Sequence, residues 1–370
     1  MTATRTAIRA GQPSWSGREL EFVERVIQSG WLTQGVMVQQ FEEEFAAWVG
    51  AAHAVATTSG TTALHLAMAA VIRPGDEVIV PAVTFVATAN AARYCGARLV
   101  FADIDPVTWT LDPADVEDRI TPKTQAIIPV HLYGVPADMV EIKKIALMYN
   151  LHVVEDCAEA IGAKAGREWD FRHVGTLGDA GVFSFFANKT ITTGEGGMIV
   201  TNNAALAKEL RHLRGQAMTE RRYWHDKVGF NYRMTEMQAA LGCAQMTIVD
   251  DVLARRRKVV GWYKRELEGL DFTLQRTHAG DRHGCWAVAG LLGEGIPKER
   301  LVAHMTERGI ETRPVFPVIA HMPMYRRTDV FDYAEGMAWR GLVLPTHGEM
   351  TEEDVRYVVG SMREFLEVGS

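Results

Sequence analysis

Between His53 and Glu155 the chain alternates short apolar runs with amphipathic ones, and nothing else in it constrains the fold as strongly. The runs are HAVAT (His53–Thr57), EVIVP (Glu77–Pro81), RLVFA (Arg98–Ala102), AIIPV (Ala126–Val130) and LHVVE (Leu151–Glu155). Stretches of helical spacing separate them: Thr61–Val71, Ala87–Tyr94, Pro113–Ile120 and Met139–Asn150. Strand, helix, strand at this spacing predicts an α/β fold with a mostly parallel sheet covered on both faces. The near-continuous apolar character of the runs agrees with such burial. Ligands of open parallel sheets bind outside the carboxyl ends of the strands. The residues that follow each run are therefore where a site is sought.

The flanks complete the outline. Residues 17–50 read as two helical pieces broken by GWLTQG (Gly30–Gly35). Met198–Val200 reads as a strand and Ala204–Arg214 as a helix. Thr235–Leu270 keeps helical spacing for longer than a usual globular helix, so a bend is expected near Gly242 or Gly261. Beyond it, Trp286–Leu292 and Ile310–Val315 are predicted strands, and Pro297–Arg308 and Glu352–Val368 predicted helices. These elements divide the chain into a large domain with an N-terminal helical segment, 1–250, and a small C-terminal α/β domain, 251–370.

Composition excludes some functions. A net charge of −7 over 370 residues leaves no basic footprint for nucleic acid. No apolar run approaches the roughly 20 residues of a membrane span. The opening MTATRTAIRA lacks the apolar centre of a secretion signal. Cys95, Cys157, Cys243 and Cys285 lie far apart and read as reduced core residues of a cytoplasmic protein. The histidines show no ligand spacing, so no metal is expected.

Gly181–Gly197, GVFSFFANKTITTGEGG, places a single lysine between a strand-like run and a glycine-rich turn. A buried ammonium must be paired or lose its charge, and a neutral lysine amine attacks carbonyls. An ordinary surface lysine on a turn is the competing reading of Lys189. Thr58–Thr62, between the first run and its helix, offers hydroxyls and amides suited to a phosphate, or equally a helix cap. Glu155 and Asp156 end a strand and point to opposite faces, so only one of them can serve a given site. Phe85 offers an aromatic face or a core contact, and Ser184 a hydroxyl for a phosphate or for the backbone. Together these parts suit pyridoxal phosphate, which needs a lysine, a carboxylate for its ring nitrogen and donors for its phosphate.

The stretches GWLTQG, SGTTALHLA, VIVPAVTFVATAN, AIIPVHLYG, VEDCAEAIGA, FSFFANKTITTGEGG and GFNYRMTEMQAALG, in this order, resemble the DegT/DnrJ/EryC1/StrS sugar aminotransferases. NKTITTGEGGM, RRYWH and NYRMT, with Glu159, look most like the branch that aminates C-4 of GDP-4-keto-6-deoxymannose, the GDP-perosamine synthases. The resemblance implies the aspartate-aminotransferase fold (fold type I) and a pyridoxal-phosphate-dependent transaminase that passes through the pyridoxamine form. It implies that Lys189 bonds the cofactor and acts as acid and base, and that Asp156 partners the ring nitrogen. Gly60, Thr61 and Ser184 match phosphate ligands, Phe85 the residue stacked on the ring, and Glu159 the position beside the phenolic oxygen. Asn231 matches a residue that reaches the neighbouring subunit's phosphate site, which implies a homodimer with shared active sites. The implied substrates are a nucleotide ketosugar and an amino-acid donor, glutamate being expected, with Arg313, His321 and Trp224 as candidate substrate contacts.

The chain departs from the pattern at two places. Many members carry Gln where Glu159 stands. Pro317 and Ala320 replace histidines of the perosamine branch, with His321 displaced by one. A different nucleotide (UDP or dTDP) or a C-3 position is thus an alternative, as is a non-catalytic regulatory protein of the same fold. RRYWH (Arg221–His225) reads as a diphosphate contact or as a solvated loop, and RRRK (Arg255–Lys258) as a solvated helix face.

Overall fold

The computed structural model describes residues 7–368. Residues 1–6, within the stretch read as lacking a secretion signal, lie outside the described residues.

Seven strands form the larger sheet: β1 (His53–Thr57), β2 (Glu77–Pro81), β3 (Arg98–Ala102), β4 (Thr124–Ile127), β5 (His152–Asp156), β6 (Ala180–Ser184) and β7 (Gly197–Thr201), in the order β1-β7-β6-β5-β4-β2-β3. β2 to β6 pair in parallel, while β7 runs antiparallel to both of its neighbours. The physical reason lies in the connection 185–196. It holds no helix to carry the chain across the sheet, so the strand after it folds straight back. That same connection carries Lys189.

Alternation sorts the strand residues onto two covered faces. Phe183, Met198 and Val200 pack with Phe41 and Phe45 of the helix Val36–Val49, whereas Val182 and Ile199 pack with the helices Gly60–Val71 and Ala87–Tyr94. Phe45 meets both Phe183 and Phe185 edge to face, at centroid distances of 5.0 and 5.3 Å.

The second sheet is antiparallel throughout: β8 (Phe272–Leu274), β9 (Val288–Leu292), β10 (Arg313–Pro314) and β11 (Gly341–Leu344), in the order β10-β11-β9-β8. Helices Val249–Glu266, Lys298–Glu307 and Glu352–Val368 bury Val259, Tyr263, Leu301, Met305 and Val358 with it.

Three expectations need correction. The Thr235–Leu270 segment is two helices, Glu236–Met246 and Val249–Glu266, and it breaks at Thr247–Ile248 rather than at a glycine. Gly242 serves packing instead: a Cβ there would stand 2.7 Å from the Phe41 ring. The expected strand Ile310–Val315 shrinks to β10, and its sheet partner β11 and the helix Asp332–Arg340 carried no clear sequence signal. Finally, RRRK is not a uniformly solvated face, because Arg256 is 2% exposed.

Candidate active site

A cavity of about 410 Å³ opens at the carboxyl ends of β1, β2, β5 and β6, with the second sheet supplying its far wall. Each wall residue is placed by the local geometry of its chain segment.

After β1 the chain turns directly into the helix Gly60–Val71. The Ser59 hydroxyl accepts from the Thr62 amide (3.2 Å) while the Thr62 hydroxyl accepts from the Ser59 amide (3.0 Å), a reciprocal cap. The first amides of a helix have no partner within it, and Gly60 and Thr61, at that position, line the cavity. Two glycines make the approach possible. A Cβ on Gly60 would lie 2.9 Å from that of Ser184, and one on Gly197 would lie 2.2 Å from the Ser59 carbonyl oxygen.

The two acids that end β5 separate as the pleat requires. Glu155 turns away from the cavity: its carboxylate accepts from the amides of Gly175 (2.7 Å), Leu177 (2.8 Å) and Gly178 (2.6 Å) and contacts His131 Nε2 at 3.0 Å. Burial alone would raise its pKa, but His131 and these amides hold it below the usual carboxylate range. His131 Nδ1 accepts from the Ala137 amide, so Nε2 is the donor to Glu155. These bonds occupy the groups that, with Cys157, come close enough to suit a metal ion.

Asp156 faces the cavity. Its Oδ2 accepts from the Thr88 hydroxyl at 2.7 Å and its Oδ1 from the Ala158 amide at 3.1 Å. Burial raises its pKa above the ordinary value, against the lowering effect of those two bonds and of Lys189. A carboxyl so placed regains its charge when a cation is brought against it.

Lys189 Nζ lies 3.6 Å from Glu159 Oε1 and 4.4 Å from the centroid of the Trp286 ring. Glu159 accepts from the Tyr133 amide (3.0 Å), and burial raises its pKa despite the neighbouring lysine. Opposite, Phe85 is 57% exposed on the cavity wall. From it an aromatic series leads inward: Phe316 at 5.9 Å, then Tyr133 at 5.5 Å, then Trp286 at 6.2 Å between successive centroids.

The cavity thus brings together Gly60, Thr61, Phe85, Asp156, Glu159, Ser184, Lys189 and Arg313, all singled out from the sequence. Within one chain it does not bring in Asn231, which is exposed, nor Trp224, which is 56% exposed beneath the Arg221 guanidinium. His321 also lies outside, with Nε2 3.0 Å from the Asp329 carbonyl. Pro317 is exposed, Ala320 is buried, and neither lines the cavity. Thr88, Tyr133, Trp286 and Phe316 were missed. The first three stand within or beside runs whose apolar character reads as core, and only the tertiary fold turns them towards Asp156 and Lys189.

Residues 13–363 match the model of the DegT/DnrJ/EryC1/StrS aminotransferase family. The chain belongs to that family. It is 46% identical over 368 residues to the GDP-perosamine synthase of Caulobacter vibrioides, covering 97% of this chain and 98% of that one. It is 43% identical to the GDP-perosamine synthase of Escherichia coli O157:H7, covering 96% and 97%. Among solved structures, E. coli GDP-4-keto-6-deoxy-D-mannose-3-dehydratase with bound hydrated PLP superposes with a TM-score of 0.89 at 26% identity, covering 97% of this chain and all of that one. For a family member of this fold, the residues in the cavity fit pyridoxal phosphate. An amine, an acid able to take up a cationic partner, and a helix N-terminus cleared by Gly60 and Gly197 all converge on it.

Proposed function

We propose that this chain transfers an amino group from an amino acid, glutamate being the expected donor, to C-4 of GDP-4-keto-6-deoxymannose, forming GDP-perosamine. Convergence of Lys189 and Asp156 on one cavity with the Gly60–Thr61 helix terminus carries this reading. Pyridoxal phosphate, when bound, supplies an electron sink that makes the carbon next to the transferred nitrogen acidic. Asp156, oriented by Thr88 and the Ala158 amide, holds the ring nitrogen cationic. Gly60, Thr61 and Ser184 hold the phosphate, and Phe85 covers the ring. Lys189 anchors the cofactor and then moves the proton, with Glu159 3.6 Å from its amine to set its position. Arg313 presents a guanidinium to the cavity, where the carboxylate of the donor is its natural partner.

The lysine favours a transaminase over a sugar dehydratase of the same fold, since those relatives carry histidine at that place. It equally disfavours a non-catalytic member. The proposed large and small domains, 1–250 and 251–370, contribute the cofactor wall and the substrate wall respectively. Two chains make one working unit, with Asn231 of each reaching the other's phosphate site, and the enzyme acts in the cytoplasm. No helix among the described residues is long and apolar enough to cross a membrane. The test is a panel of GDP-, UDP- and dTDP-linked ketosugars offered with glutamate, with products read by mass spectrometry. Amination of the GDP sugar is expected. Turnover confined to a UDP or dTDP sugar instead assigns the altered segment around Pro317 and Ala320 to a different nucleotide.

A further inference from the structure

Arg256 is a fully buried guanidinium with no carboxylate partner among the described residues. Burial lowers its pKa to about 10, and its Nε has no hydrogen-bond partner. A bare buried cation is unfavourable, and an apolar side chain of similar length would pack there without that penalty. Stability alone therefore does not account for arginine at this position. Its contacts do. Nη1 reaches three carbonyl oxygens, those of Cys285 (3.5 Å), Trp286 (3.1 Å) and Thr346 (3.3 Å).

Two of these carbonyls, those of Cys285 and Trp286, belong to a strained corner. Cys285 has φ 57, a left-handed conformation that a non-glycine residue adopts only when its surroundings hold it there. Its amide donates to His283 Nδ1 at 2.6 Å, and its carbonyl meets Arg256. The corner turns Trp286 towards the cavity. There the indole N–H donates to the Asn188 carbonyl at 3.2 Å, and the ring stands 4.4 Å from Lys189 Nζ and parallel to Tyr133.

We propose that Arg256 is a positioning residue for Lys189, holding the Trp286 indole against the lysine amine through the carbonyl oxygens of Cys285, Trp286 and Thr346. The inference rests on the reading of Lys189 as the lysine that bonds the cofactor. Facing Lys189 are Glu159 and Asp156, which follow and end β5, and Trp286; Arg313 lines the same cavity. Both acids stay beside the Lys189 nitrogen whether or not Trp286 is seated. The ring face adds an attraction for a charge on that nitrogen. Releasing Trp286 removes only this last contribution, so the nitrogen holds its proton less tightly.

The test uses the cofactor-loaded enzyme. The pH midpoint of its visible absorption band is measured in the wild type, Arg256→Met, Arg256→Lys, Trp286→Leu and the Arg256→Met/Trp286→Leu double variant, with Tm recorded for each. The band midpoint is expected to fall by about half a pH unit or more in Arg256→Met and Trp286→Leu, as loss of a cation–π contact requires. The double variant is expected to match the Trp286→Leu single, because Arg256 acts through that ring. Arg256→Lys, which keeps a donor, is expected to recover part of the shift. Folded Arg256→Met with a wild-type midpoint, or a double variant whose shifts simply add, overturns the positioning role. A wild-type protein with no visible band and no borohydride-trapped cofactor on Lys189 overturns the Lys189 reading, and the positioning role with it.

Discussion

Lys189, Asp156 and Glu159 share one cavity but differ in what their surroundings do to them, and each has its own test. Lys189→Ala removes the amine proposed to anchor the cofactor and move the proton. Turnover is expected to be lost, and borohydride treatment should leave no cofactor mass on the chain. Normal turnover in that variant, with no free amine added, would exclude Lys189. Asp156→Asn removes the charge and leaves one acceptor oxygen, enough for the Ala158 amide, so the Thr88 hydroxyl must turn to accept from the new amide. A loss of at least a hundredfold in kcat is expected, on the scale of about 3 kcal/mol for one preorganised electrostatic contact. A folded, cofactor-loaded Asn variant with full activity would assign the ring nitrogen to another group. Glu159 carries a raised pKa, caused first by burial. Between the ordinary carboxyl value and that raised value the folded state binds more protons than the unfolded state, so stability falls as pH rises through this window. Glu159→Gln abolishes that contribution. The Tm of the cofactor-free Gln variant should therefore gain on the wild type as pH rises above about 4.5, reaching a plateau once the raised pKa is passed. A difference in Tm that stays flat with pH would mean that Glu159 titrates normally. At this scale the sequence singled out Asp156 and Ser184 because each ends a recognisable strand, and Lys189 because it stands in the glycine-rich connection that follows β6. Thr88 and Trp286 stayed hidden because their chemistry exists only through contacts with Asp156 and Lys189, far away along the chain.

Strands and their turns explain why the site needs glycine at particular places. Gly197 begins β7 directly beneath the Ser59 carbonyl, so Gly197→Ala must displace the Ser59–Thr61 turn that lines the cavity and is proposed to hold the phosphate. Cofactor affinity is expected to drop at least tenfold. Gly194 offers the contrast, since its φ of +79 strains any side chain although nothing lies within 4 Å of an added Cβ. Gly194→Ala should lower stability by roughly 1–2 kcal/mol and leave cofactor affinity unchanged. Equal affinity loss in both variants would mean that the turn tolerates displacement and that backbone strain alone matters. Elements of the large sheet were legible because each buried strand is apolar and each helix amphipathic. The break at Thr247–Ile248 was not, since the glycines in that segment looked like better breakers and Gly242 is in fact reserved for Phe41. β10 and β11 were equally obscure: a two-residue and a four-residue strand carry too little pattern to stand out before pairing is known.

At the scale of the whole molecule, one exposed surface supports the proposal that two chains make one working unit. Asn231 sits on a rigid segment: Phe230 and Tyr232 stack at 5.0 Å, both rings lie against His65, and the Tyr232 carbonyl accepts from the Thr58 amide at 3.0 Å. Its own residue is nevertheless exposed. Beside this segment runs GWLTQG, tied to it by the Thr33–Thr235 bridge and by Glu236, whose carboxylate accepts from the amides of Gly35, Met37 and Val38. That surface leaves Trp31, Leu32 and Val36 exposed at 63%, 52% and 71%. Large apolar side chains gathered on one face are a normal mark of a protein interface. If a second copy covers them, Asn231 of one chain is free to reach the phosphate end of the other, and every site draws its lysine and its asparagine from different chains. The consequence is arithmetical. Lys189→Ala and Asn231→Asp should each be inactive alone, the second because a carboxylate repels the phosphate. In a mixed dimer one site combines both defects, while the other combines an intact Lys189 with an intact Asn231. With random exchange half the dimers are mixed and half their sites are whole, so an equal mixture should regain about a quarter of wild-type activity. The measurement is activity after mixing, with subunit exchange followed independently by mass-tagged chains. Complete exchange without recovered activity would place Asn231 in its own chain's site or outside it altogether.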